Sequence, residues 1–158
     1  MIKEKEEVTK YDVSLPQCYK PLWKKSDDPL YKNAIHYLRQ RNIGSLDILR
    51  YSIGFCSSNG YSNRIIIPSY DTDGKLNYFM ARDMFPNSKF KYKNPPMSKD
   101  TVGFELFINW KEPIVLCEGV FDAIAIRHNA IPLFGKFPSK TLVMRLVEKK
   151  VKKIYIAL

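Results

Sequence analysis

The ten residues from Pro113 to Asp122, P-I-V-L-C-E-G-V-F-D, restrict what this chain can fold into more than any other stretch. Ile114 to Cys117 is a short, uninterrupted apolar run rich in β-branched residues, the pattern of a parallel strand covered on both faces. Glu118 and Gly119 come next, and Gly119 permits a sharp turn. Phe121, Ile124 and Ala125 then recur at helical spacing up to His128. The arrangement holds a carboxylate, Glu118, at the carboxyl end of a buried strand, with Asp122 in the first helical turn. Open α/β sheets bind their ligands at that end.

The alternation of strand and helix continues to the last residue. Ile131 to Phe134 reads as a short strand, Ser139 to Lys149 as a helix, and Ile154 to Leu158 as a third strand. Leu142, Val143, Leu146 and Val147 provide the helix with an apolar stripe. Right-handed crossovers make such strands parallel, with their carboxyl ends on one rim.

The preceding half has a different period. Asp28-Pro29 reads as a helix start, with Leu30, Ala34, Tyr37 and Leu38 on one face and an end near Asn42 to Gly44. Ser45 is the expected cap of a second helix, Leu46 to Tyr51, whose apolar side is Leu46, Leu49 and Ile53. Arg64 to Pro68 and Lys75 to Arg82 flank Asp71-Thr72-Asp73-Gly74, a strong hairpin signal. Asp71 and Asp73 fit turn chemistry better than a calcium loop, since the later glutamate of that motif is missing. His36 has no metal-partner spacing and reads as a surface or half-buried residue. Residues 85–103 form a long, basic, Pro-rich connection in which Lys89, Lys91, Lys93 and Lys99 interleave with Phe90 and Tyr92. That pattern suits either a surface tracking a nucleic-acid backbone or a solvated basic loop with tucked aromatics.

Composition agrees with a nucleic-acid partner. The chain has 158 residues and a formal charge of +10, from 26 basic and 16 acidic side chains. A polyanion is the natural partner, nucleic acid ahead of membrane. Cys18, Cys56 and Cys117 are far apart in sequence and form no CxxC or Cys/His pair, which indicates no zinc and a reduced, cytoplasmic setting. No stretch approaches a membrane span, and the N-terminus lacks a signal-peptide core.

In their order, R-I-I-I-P, D-T-D-G, A-R-D, K-Y-K-N-P-P, E-G-V-F-D-A-I-A, L-F-G and I-Y-I-A-L, the motifs resemble the RNA-polymerase core of DnaG-type bacterial and phage DNA primases. The similarity runs from about Pro29 to Leu158. It implies an arm or linker over 1–28, a basic α+β subdomain over 29–110, and an incomplete α/β Toprim-like parallel sheet over 111–158. It implies an enzyme of the DNA-directed RNA polymerase (primase) class, making short RNA primers on single-stranded DNA from ribonucleoside triphosphates, with phage replication the favoured setting. A replicative helicase is a further candidate partner. Glu118 matches the family's metal-side glutamate and Asp122 the second acid of that motif. Arg64 and Arg82 match arginines that face template and nucleotide, and Lys91, Tyr92 and Asn94 a segment lining the cleft. Lys89 and Lys93 join them on the basic loop. The resemblance implies Mg2+ or Mn2+, held through Glu118. The Asp-x-Asp pair that the family carries after the third strand would begin where the sequence ends at Leu158, so the expectation is weak metal affinity and no primer synthesis by this chain alone. The alternative is a non-catalytic single-stranded DNA-binding module or an inactive truncated primase. A Toprim nuclease or topoisomerase is a weaker third reading.

Overall fold

The computed structural model describes residues 13–158, so residues 1–12 of the expected N-terminal arm lie outside the described residues. The first helix, α1 (Leu30–Gln40), starts where Asp28-Pro29 predicts it. The Asp28 carboxylate accepts from the Leu30 amide at 2.9 Å, from Lys20 Nζ at 2.7 Å and from the Ser57 hydroxyl. The Lys20 and Ser57 bonds, Lys20 foremost, hold its pKa down at about 2. In α2 (Ser45–Arg50) the cap differs from expectation, because Asp47 Oδ2 reaches back to the Gly44 amide at 3.0 Å. The buried face differs too. Ile48 and Ile53 enter the core, while Leu46 and Leu49 stand in solvent. Six residues are too few for periodicity to fix which side faces inward.

Four antiparallel strands follow the order β1-β2-β3-β4: β1 (Lys20–Pro21), β2 (Gly54–Cys56), β3 (Arg64–Tyr70) and β4 (Leu76–Asp83). The Asp-Gly hairpin is present. Asp71 Oδ1 accepts from the amides of Asp73 and Lys75, and Gly74 takes the positive φ of 77° that glycine tolerates. Gly54 is required for a different reason, since a Cβ there would stand 2.2 Å from the Tyr19 ring. Both faces of β3 are covered. Ile65 and Ile67 join Tyr78 in the main core, and Ile66 packs with Phe79, Ala81 and Cys56 on the other side.

The second sheet is parallel and ordered β6-β5-β7, from β5 (Ile114–Cys117), β6 (Ala130–Pro132) and β7 (Ile154–Ala157). It meets the α/β expectation, with α3 (Val120–Ile126) and α4 (Lys140–Glu148) as connections. The strand expected at Ile131–Phe134 begins one residue earlier and stops at Pro132. Ser139 caps α4 as predicted, its Oγ accepting from the Leu142 amide at 3.1 Å. Asn129, at φ 49°, seats the start of β5. Its amide nitrogen donates to the carbonyls of Asn109 and Pro113, and its oxygen accepts from the Asn109 amide. The α4 stripe is only half buried: Leu142 is inside and Val143 and Val147 are exposed. All four residues of β7 are exposed, although β5 pairs with them throughout. Lys153 Nζ sits 4.8 Å from the centroid of the Tyr155 ring on this strand.

One core spans both sheets, with Ala34 and Leu38 of α1 against Ile65, Tyr78, Val120 and Ile124. At its margin Arg127, which ends α3 at φ 59°, reaches α2: Nε and Nη2 bond the two Asp47 oxygens at 3.1 and 3.0 Å, and Nη2 the Asn42 carbonyl at 2.7 Å. Among the described residues no helix is long and apolar enough to cross a membrane.

Candidate nucleotide and template interface

The carboxyl end of β5 runs directly into Glu118, Gly119 and the first turn of α3. Asp122 Oδ2 accepts from the Gly119 amide at 3.3 Å, which closes the turn. Glu118 is exposed and makes no hydrogen bond or ion pair among the described residues. Cys117, the residue before it, is fully buried, and burial, with a smaller contribution from Asp122, pushes its thiol up to about 12. It is an inert packing residue, as its place in a covered strand predicts.

A ladder of rings and guanidiniums leads away from this turn. Phe121 meets Tyr37 of α1 edge to face, with centroids 6.3 Å apart. The Arg41 guanidinium lies over both rings, 4.6 Å from Phe121 and 4.8 Å from Tyr37. Arg82 Nε donates to the Tyr37 hydroxyl at 3.2 Å, and its guanidinium covers the Tyr92 ring at 4.6 Å. Arg82 and Tyr92, drawn from two sequence motifs, are thus in direct contact. Each guanidinium on a ring face gains cation–π attraction while keeping its remaining donors free for an anion.

The basic loop is attached to the sheet rather than loose. Its residues 91–93 pair with the end of β4 through the amides of Asp83 and Lys93, bonded to the carbonyls of Lys91 and Ala81 at 2.9 Å each. Arg64 lies beneath it, only 8% exposed, and donates to the Phe90 carbonyl at 2.9 Å and the Lys91 carbonyl at 3.4 Å. Its ion pair with Asp83, at 3.7 Å, leaves the guanidinium committed to holding the loop. Lys93 Nζ donates to the Gly60 carbonyl at 2.6 Å and covers the Tyr61 ring. Lys89 stands over Phe90, and Lys91 extends into solvent. Asn94 keeps a buried Oδ1 with no hydrogen-bond partner. Phe90 and Tyr92 are exposed, so of the two sequence readings the ring-tucked loop is not the one found.

Sequence patterning points to neither Tyr37 nor Arg41 as a site residue, and it assigns Phe121 to the core. The available signal is the four-residue step between Tyr37 and Arg41, which stacks them on one helix face. As to a metal, Glu118 and Asp122 are oxygen donors of the kind magnesium takes, and magnesium is often bound by only one or two carboxylates. The described residues contain no group of three or more candidate ligands. The two acids therefore fit a weakly held ion completed by phosphate oxygens and water, not a protein cage.

No family model matches the chain. It is 32% identical over 136 residues to an uncharacterised protein of Mycoplasma genitalium, MG010, covering 80% of this chain and 61% of that one. It is 25% identical over 151 residues to the DNA primase of Campylobacter jejuni, covering 66% of this chain and 25% of the primase. In structure it is similar to the DnaG primase catalytic domain bound to single-stranded DNA, with a TM-score of 0.67 at 17% identity over 82% of this chain and 56% of that one. The chain thus spans about three fifths or less of each of these proteins. Its fold is that of the DnaG primase catalytic core.

Proposed function

We propose that this chain serves DNA replication as part of a primase, gripping a single-stranded template and presenting Glu118 to the nucleotides being joined into an RNA primer. The observation that carries the reading is the ladder Tyr92–Arg82–Tyr37–Arg41–Phe121, which runs from the basic loop to the turn bearing Glu118 and Asp122. Phosphoryl transfer asks a protein for positioning and fixed positive charge more than for covalent chemistry. Arg82, Arg41 and Lys91 supply that charge, with Arg-to-phosphate bonds the strongest kind available. Phe90 and Tyr92 offer faces on which bases stack without regard to sequence. Arg64 acts from below, holding the loop's backbone, and Lys89, Lys93 and Asn94 complete its lining. A bound magnesium ion would neutralise triphosphate charge and favour ionisation of the attacking 3′-hydroxyl, and Glu118, with Asp122 beside it, is the residue that would hold it. Asp122 has a second task in closing the turn at Gly119.

The test is template binding followed by primer synthesis. Arg82→Ala with Lys91→Ala is expected to weaken binding of a labelled single-stranded oligonucleotide about tenfold at moderate salt and to flatten its salt dependence, since phosphate contacts release counterions. Unchanged affinity would remove these contacts from the proposal. Glu118→Gln is expected to leave that affinity intact and abolish magnesium-dependent primer synthesis in whatever assembly supports it. A second reading, a DNA-binding module without chemistry of its own, is favoured by the exposed pair of carboxylates with no third acid nearby among the described residues. Primer synthesis that survives Glu118→Gln would favour it.

A further inference from the structure

The face of α1 opposite Tyr37 and Arg41 borders a groove of about 710 Å3 lying between α1 and α2. At ~3.6 residues per turn, Lys32, His36 and Arg39 fall on one side of the helix and Tyr37 and Arg41 roughly opposite. The groove's floor is apolar, formed by Ile35, Ile43 and Ile48. Its walls are apolar side chains that water would ordinarily keep inside: Leu46 is 81% exposed, Leu49 58% and Trp23 42%. Leaving both leucines bare in water is a standing cost that a partner covering them would recover. Lys32, His36 and Arg39 make no ion pair or side-chain hydrogen bond among the described residues, and no acidic residue lines the groove.

An apolar trough with cations along one edge has a definite complement. We propose that it docks an acidic amphipathic helix of a partner protein, whose apolar residues seat against Trp23, Leu46 and Leu49 and whose carboxylates face Lys32 and Arg39. Helix-in-groove recognition uses just such anchors at i, i+3 or i+4, and i+7. A nucleic acid fits this groove less well. Its exposed walls are Leu46 and Leu49 beside Trp23, with Tyr31 half-buried, so they present no run of exposed rings, whereas strands without secondary structure bind by stacking on successive rings. The template face and the docking face would then lie on opposite sides of the same helix, so that both partners could be held at once.

The probe is a labelled synthetic helix of about five turns, with Leu and Phe at the anchor spacing and Glu elsewhere, set against the same peptide with Lys in place of Glu. Anisotropy with the full chain should show saturable binding of the acidic peptide and none of the basic one. The double variant Leu46→Asp, Leu49→Asp, altered only at exposed positions, should weaken binding at least tenfold while single-stranded DNA binding stays unchanged. Lys32→Glu with Arg39→Glu should reverse the preference towards the basic peptide. Equal binding of both peptides, no binding of either, or survival of binding in the leucine variant would overturn the proposal. So would displacement of the acidic peptide by an oligothymidylate, which would make the groove a nucleic-acid surface.

Discussion

Strands β3 and β7 are both fully paired to a neighbour, yet one is enclosed and the other bare. From Arg64 to Ser69 every residue of β3 is buried, between the main core and the smaller cluster around Phe79. From Ile154 to Ala157 every residue of β7 is exposed. Backbone hydrogen bonds therefore place a strand in a sheet without deciding how much its side chains contribute. In the antiparallel half, stability is concentrated in side chains facing both ways. In the parallel half it sits in β5, β6 and the inner faces of α3 and α4, and β7 adds pairing alone.

That contrast can be broken by substitution. The largest effect is expected for Phe55→Ala, at a fully buried position in β2. Losing its transfer energy and opening a cavity costs about 3–5 kcal/mol, to be read from denaturant midpoints at constant slope. Next is Asn129→Ala in the parallel half, which removes the several hydrogen bonds made by one buried side chain and should cost about 1–3 kcal/mol. Acid should reveal a smaller loss, confined to the antiparallel half and its joint with α3. Asp28 and Asp47 both titrate below their ordinary values, Asp28 mainly through Lys20 and Asp47 mainly through Arg127. A depressed folded-state pKa gives stability that is complete above the unfolded value of about 4 and lost as pH falls through the folded one. Thermal midpoints of Asp28→Asn should therefore differ from the unmodified chain at about pH 6 and converge with it near about pH 2. The smallest effect is expected for Ile156→Thr in β7, within about 0.5 kcal/mol. If it matches Phe55→Ala instead, pairing and burial are not separable here and the contrast fails.

How much can be read from the residues alone depends on how local the cause is. The Asp71–Gly74 turn, the Ser139 cap and the step from Ile114 to Asp122 are legible because each is written in a few adjacent side chains. β1 and β2 have two and three residues, too short to carry any period. The exposure of Leu46 and Leu49 results from Ile48 taking the inner position, a tertiary outcome. The resemblance has Arg64 facing template and nucleotide, and the structure spends its charge on the carbonyls of Phe90 and Lys91. The meeting of Tyr92, Arg82, Tyr37 and Phe121 joins positions dozens of residues apart, so no window of sequence contains it.

The lysine stacked on Tyr155 bears on how this chain behaves at high concentration. β7 is an edge strand of its sheet, and an unpaired strand edge is a template on which a second chain can add, with lysines beside it acting as guards. Lys153 sets its ammonium over a ring of this strand, and a net charge of +10 adds repulsion between whole molecules. Both defences are electrostatic, and salt screens them within a Debye length of about 8 Å at physiological strength. Colloidal stability should thus decline as salt rises, which light scattering against sodium chloride concentration would read.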